Sequence, residues 1–150
     1  MRLLALSFLI AAGCSTSGDP AAPAPPRSPD DTIEVDEVGD EPFASEDDYR
    51  QQRQATQARL DAAVGNAQAS DVSACRTAPI TEQACGGPTA WVVYSEDDGN
   101  VASIERLAAR LVALDVKANA QFEWASTCMA YTPPQPVLQG GRCVDPNAGP

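Results

Sequence analysis

Apolar residues at Val101, Ile104, Leu107, Ala108, Leu111, Leu114, Ala118 and Phe122 recur at intervals of three and four, with Leu107 and Ala108 adjacent. The interval follows the α-helical turn of about 3.6 residues and gathers these side chains on one stripe. Arg106, Arg110, Asp115 and Lys117 read as lying largely off it. A helix of about 22 residues is roughly 33 Å long. It is stable only with that stripe buried, and Thr89–Tyr94, TAWVVY, is the surface to bury it against. This β-branched and aromatic run is the clearest strand of the chain. Ser73 to Ile80 reads as a second short strand, limited to an edge by Pro79.

A second helix is expected over Glu46 to about Val64. Ser45 is placed to cap it, and Glu46, Asp47 and Asp48 sit at the positive end of its dipole. Its apolar marks, Tyr49, Thr56, Leu60, Ala63 and Val64, make a thin face with a loose seven-residue rhythm, and Gly65-Asn66 stops it. Towards the C-terminus, Cys128–Tyr131 reads as a strand and Thr132-Pro133-Pro134-Gln135-Pro136 as a stiff loop. Val137-Leu138 and Arg142-Cys143-Val144 flank a turn at Gly140-Gly141.

The remaining apolar run lies at the start. Met1 and Arg2 lead into about ten apolar residues, which end in Ala11-Ala12-Gly13-Cys14. One positive charge, an apolar stretch and small residues make a secretory signal. The stretch is shorter than the roughly twenty apolar residues of a membrane-spanning helix. Its ending at a cysteine resembles the lipobox of bacterial lipoproteins, with Ala11 where that pattern most often has Leu. The resemblance implies removal of residues 1–13 and a diacylglyceryl group on Cys14. An ordinary secretory signal cut near Gly13 is the alternative. Ser15 stands where lipoproteins kept in the inner membrane often carry Asp. In a two-membrane bacterium the resemblance therefore implies the outer membrane, facing the periplasm.

Residues 14–44 read as a lipidated cysteine followed by a tether. Residues 20–29, PAAPAPPRSP, favour extended polyproline II, and an acidic run from Asp30 to Glu41 repels itself. Ile33, Val35 and Val38 are its only apolar hint of local structure.

Charge narrows the partners. The formal charge is −11, and of the ten basic residues only Lys117 is a lysine. No basic stripe exists to bind nucleic acid or anionic lipid head groups, so contact with a membrane comes through the lipid anchor. Histidine is absent, which removes the commonest general base and the commonest metal ligand.

With Cys14 acylated, Cys75, Cys85, Cys128 and Cys143 remain. An even number in an exported chain reads as two disulfides. Three pairings are open. The sequence favours the local one, Cys75–Cys85 with Cys128–Cys143, each pair facing across a hairpin-like loop. The expected fold is thus α+β. A long amphipathic helix packs on a short antiparallel sheet in a stapled module over 70–150, preceded by the helical segment 45–69. The pattern of Cys75, CGGP at 85–88, YS at 94–95, a long helix, Cys128 and GGRC at 140–143 resembles a group of small exported bacterial proteins. That resemblance implies export and this fold, and no reaction.

Candidate sites follow from what is left. Glu96, Asp97 and Asp98 before Gly99 suggest a calcium loop, but Tyr94 occupies the position of the first carboxylate, and a solvated helix start is the simpler reading. With no free thiol, no histidine and Lys117 beside Asp115, no catalytic set, metal site or cofactor site is assigned, and the chain reads as a non-enzyme. Tyr131, Pro133, Pro134 and Pro136 form a candidate binding loop, preorganised by its prolines. The expected role is a cell-envelope binding or structural accessory with a protein partner. Inhibition of a secreted hydrolase through the same loop is the alternative.

Overall fold

The computed structural model describes residues 38–148. The signal, Cys14 and most of the tether lie outside them. The fold is α+β: helices α1 (Glu46–Val64) and α2 (Val101–Gln121) pack on two small antiparallel sheets. One sheet pairs β1 (Cys75–Pro79) with β2 (Trp91–Ser95), and the other pairs β3 (Val137–Gln139) with β4 (Arg142–Val144).

Local chemistry sets the helix ends. The Ser45 hydroxyl accepts from the Asp48 N–H at 3.2 Å, and the Asp48 carboxylate accepts in return from the Ala44 N–H at 3.0 Å. These bonds satisfy amides that an uncapped start leaves without partners. The Gln52 side chain and the Ala44 amide hold the Asp48 carboxyl below its usual range. α1 stops at Gly65, at a positive φ of 55°. α2 ends without a glycine. Glu123 takes the left-handed position at φ 52°, and Trp124 donates its N–H back to the Asn119 carbonyl at 3.3 Å. This is the Schellman closure, with a glutamate where glycine is usual.

The helices and the β1–β2 sheet enclose Leu60, Tyr94, Ile104 and Leu111, with Val92, Ala78 and Ile80 packed around them. Burying one aliphatic side chain of this size contributes about 1.5–3 kcal/mol. A second cluster joins Phe43, Tyr49, Leu114 and Ala118, bordered by Val38, Phe122 and Trp124. So α1 docks on the stapled residues and shares their core, and Phe43, expected in the tether, is 4% exposed. The Phe43 backbone exchanges two hydrogen bonds with the Gln121 side chain, both 2.8 Å. Lys117 donates to the Gly39 and Glu41 carbonyls and stands over the Phe43 ring, 4.8 Å from its centroid.

Three expectations need correction. Asp115 is 6% exposed and belongs to the buried face of α2. The strand expected over Cys128–Tyr131 does not form: Cys128 has a φ of 52°, and the following prolines lack the N–H a ladder needs.

The disulfides are Cys75–Cys143 and Cys85–Cys128, so the favoured pairing of Cys75 with Cys85 and Cys128 with Cys143 is wrong. The reason lies in the strand register. Cys75 faces Ser95 at one end of the β1–β2 ladder and Pro79 faces Trp91 at the other. Four strand steps span about 13 Å, and the 85–88 turn lies beyond Pro79, whereas a disulfide needs Cα atoms within about 7 Å. Each observed bond joins elements distant in sequence, 68 and 43 residues apart. Loops of that size restrict the unfolded chain by about 4 kcal/mol per bond on the chain-entropy account, against about 3 kcal/mol for a local loop.

Candidate functional site

Large apolar residues left exposed among the described residues are Val72, Val116, Met129, Tyr131, Val137 and Leu138. Four of these six lie within ten residues of one another. The same stretch is free of charge: no Asp, Glu, Lys or Arg occurs between Glu123 and Arg142, in a chain that is 21% charged. Tyr131 is 46% and Met129 55% exposed; Pro133 is exposed, and Pro134 and Pro136 are half-buried. The four residues of the expected binding loop therefore belong to one longer uncharged strap, residues 129–138.

Its first end is fixed from the core outward. The carboxylate of Asp115 accepts from the Tyr49 hydroxyl at 2.8 Å, from Arg53 Nε at 3.0 Å and from the Glu82 N–H at 3.0 Å. Asn119 donates to the Glu82 carbonyl at 2.8 Å, so two residues of α2 hold Glu82. The Glu82 side chain in turn accepts from the Gly87 N–H at 2.6 Å. Gly86 and Gly87 both have a φ of 89°, which only glycine adopts readily. The turn so formed carries Cys85, bonded to Cys128. Beside that bond the Cys85 N–H donates to Ser126 Oγ at 3.1 Å, and Gln83 donates to the Met129 carbonyl at 2.7 Å.

The second end is the β3–β4 hairpin. Its turn, Gly140-Gly141, has positive φ at both residues, as the tight hairpin turn requires. β4 is held on its far side by bonds from the Cys143 N–H to the Ala67 carbonyl at 2.9 Å and from the Ala69 N–H to the Gly141 carbonyl at 3.0 Å. Cys143, bonded to Cys75, packs with Ala67. β3 is left as the outer strand of the pair.

The remaining candidates are engaged elsewhere. Glu96 pairs with Arg76 at 2.7 Å, and Asp97 accepts from the Ser70 amide and hydroxyl, both at 2.8 Å. Those two bonds hold the Asp97 carboxyl below its usual range. No group of three or more His, Cys, Asp or Glu side chains gathers to hold a metal ion among the described residues. No helix there is long and apolar enough to cross a membrane. Trp91 is half-buried at the end of β2 opposite Pro79, and Trp124 is half-buried at the core edge. Trp124 meets the Tyr49 ring edge-on with centroids 5.3 Å apart.

The sequence reading missed the junction of Asp115, Tyr49 and Arg53. The one signal for it was an acid falling between Leu114 and Ala118 on the apolar stripe. Its hydrogen-bond acceptors are occupied by groups of α1 and of the 80–82 segment, which makes it a fastening between elements. In comparisons with known proteins, no family model, no curated protein and no solved structure matches the chain.

Proposed function

We propose that the chain is a lipid-anchored protein of the cell envelope whose domain is a non-enzymatic binding accessory, with the strap 129–138 as its contact surface. The leader ending at Cys14 supports the anchor, and two disulfides suit an oxidising compartment. The observation that carries the binding role is the strap, where exposed apolar residues and absence of charge coincide between two stapled ends. Depletion of charge with tyrosine and methionine present is the composition of an interface core.

Mass spectrometry of the chain from its native envelope tests the anchor. The expected product begins at Cys14 carrying a diacylglyceryl group, and Cys14→Ala leaves the membrane fraction. A retained leader with a free Cys14 thiol overturns that reading. Fixation of the strap at both ends also suits an inhibitor of a secreted hydrolase. Titration of the full chain against secreted proteases and lysozymes separates the two roles: inhibition abolished by Pro134→Gly selects the inhibitor, and no inhibition leaves the accessory.

A further inference from the structure

We infer that the strap is read as a polyproline II ligand, seated in a groove lined by aromatic side chains on a second envelope protein. This rests on the binding role proposed above and names the chemistry of the partner.

Every residue from Thr132 to Pro136 is a proline or precedes one. Proline fixes φ near −65°, and the residue before it is driven from the helical region towards extended backbone. Five consecutive residues are therefore confined to polyproline II or its close neighbours. The structure agrees: residues 124–136 have no helix or strand, and no residue from 129 to 139 has a positive φ. Between residues 130 and 136 no backbone group bonds to another backbone group among the described residues. Eight residues at about 3.1 Å each carry the chain roughly 25 Å from the Cys128 staple to β3.

Two other modes of recognition fit poorly. Strand addition needs alternating N–H donors, and Pro133, Pro134 and Pro136 have none. The strand that follows offers only three residues, Val137–Gln139. Ionic recognition needs charge, and the strap has none. What it does present is the carbonyls of residues 130–136, which no backbone N–H engages among the described residues, with proline rings, the Tyr131 ring and the Met129 thioether beside them. Aromatic side chains complement that row: their faces pack on proline rings, and Trp N–H and Tyr O–H donate to the carbonyls. Extended backbone fixed in advance loses little freedom on binding.

The test uses the full chain in its native envelope, with a benzophenone amino acid placed at Tyr131 or Gln135, and at Val72 or Val116 as exposed controls. The crosslinked partner residues are then mapped. The expected result is crosslinking from the strap positions to a surface rich in Trp and Tyr. Pro133→Ala with Pro136→Ala should reduce it about tenfold, the scale of one ordering cost per proline. Raised salt should leave it unchanged, because no ion pair takes part. Both disulfides and the melting temperature of the double variant are measured alongside, so that loss of folding is not read as loss of contact. Strap crosslinks that map to a strand edge, a charged surface or lipid overturn the polyproline inference and leave the strap as a binding surface. Strap crosslinks no stronger than those from Val72 and Val116 overturn both.

Discussion

Asp115 is the residue on which the arrangement of the domain turns. Its carboxylate joins Tyr49 and Arg53 of α1 to Glu82, at the root of the turn that carries Cys85. Asp115→Ala leaves the buried Tyr49 hydroxyl and the Glu82 amide without their acceptor and Arg53 without its counter-charge. Arg53 keeps some access to water, so the expected loss is about 2–4 kcal/mol by urea unfolding, below the cost of breaking a fully buried pair. Asp115→Asn keeps an acceptor and should lose less. A loss under about 0.5 kcal/mol for the alanine variant would contradict the role given to this junction. Tyr49 supplies a second check. Burial, and then the hydrogen bond to Asp115, push its phenol from 10.0 up to about 12. The unfolded chain releases that proton near pH 10 while the folded chain keeps it to about pH 12. Stability from this group is thus complete below pH 10 and is lost as pH rises across that window. Tyr94, raised by burial and by Glu105, adds a contribution of the same sign. The unfolding free energy measured from pH 9 to 12 should fall less steeply for Tyr49→Phe than for the parent; equal slopes would refute the assignment.

At the scale of elements, the two disulfides differ in what surrounds them. Cys75 and Cys143 are 6% and 5% exposed, while Cys85 and Cys128 are both exposed. Thiol exchange requires access to a sulfur. Mild reduction followed by alkylation and mass mapping should therefore open Cys85–Cys128 first, at a stability cost of about 2–4 kcal/mol. Opening of Cys75–Cys143 first would contradict this. Legibility in the sequence also divides by element. The stripe of α2, the Ser45 cap of α1, the β-branched core of β2 and the Gly140-Gly141 hairpin were all readable, because each depends on residues close together in the chain. The disulfide pairing was not, since strand register carries Cys75 away from Cys85 and no local spacing encodes that. Asp115 was misread for a related reason: its partners Tyr49 and Arg53 lie 66 and 62 residues away, and periodicity sorts a lone carboxylate outward by default. The prolines of the strap were legible, but the absence of exposed charge around them gains meaning only once the strap is seen pinned at both ends.

The scale of the whole molecule decides where the folded body begins. Composition sets the boundary near residue 45, after the acidic run, because an isolated aromatic behind so many carboxylates carries no periodic signal. In the fold, Phe43 closes the cluster of Tyr49, Leu114 and Ala118, stacking against Phe122 with centroids 6.2 Å apart. Lys117 then fixes the backbone just before it and Gln121 fixes its own N–H and carbonyl, so residues 39–43 are bound to the C-terminal half of α2. Phe122 and Trp124 of the same cluster lead directly into the segment that reaches Cys128 and the strap. A product starting at residue 45 loses the Phe43 ring and should be less stable than the full chain by about 3–5 kcal/mol, the range for removing a buried phenylalanine. A product starting at residue 38 retains every contact named here and should unfold with the full chain. Phe43→Ala in the full chain should reproduce most of the loss, which distinguishes the ring from the length of the chain before it. Its effect should also reach further, because Tyr49 and Phe122 both pack against that ring and Trp124 packs against both of them, so its removal loosens the root of the strap. Hydrogen exchange would then rise at residues 122–129 in Phe43→Ala. Exchange confined to residues 38–44 would show instead that the start of the domain and its contact surface are mechanically independent.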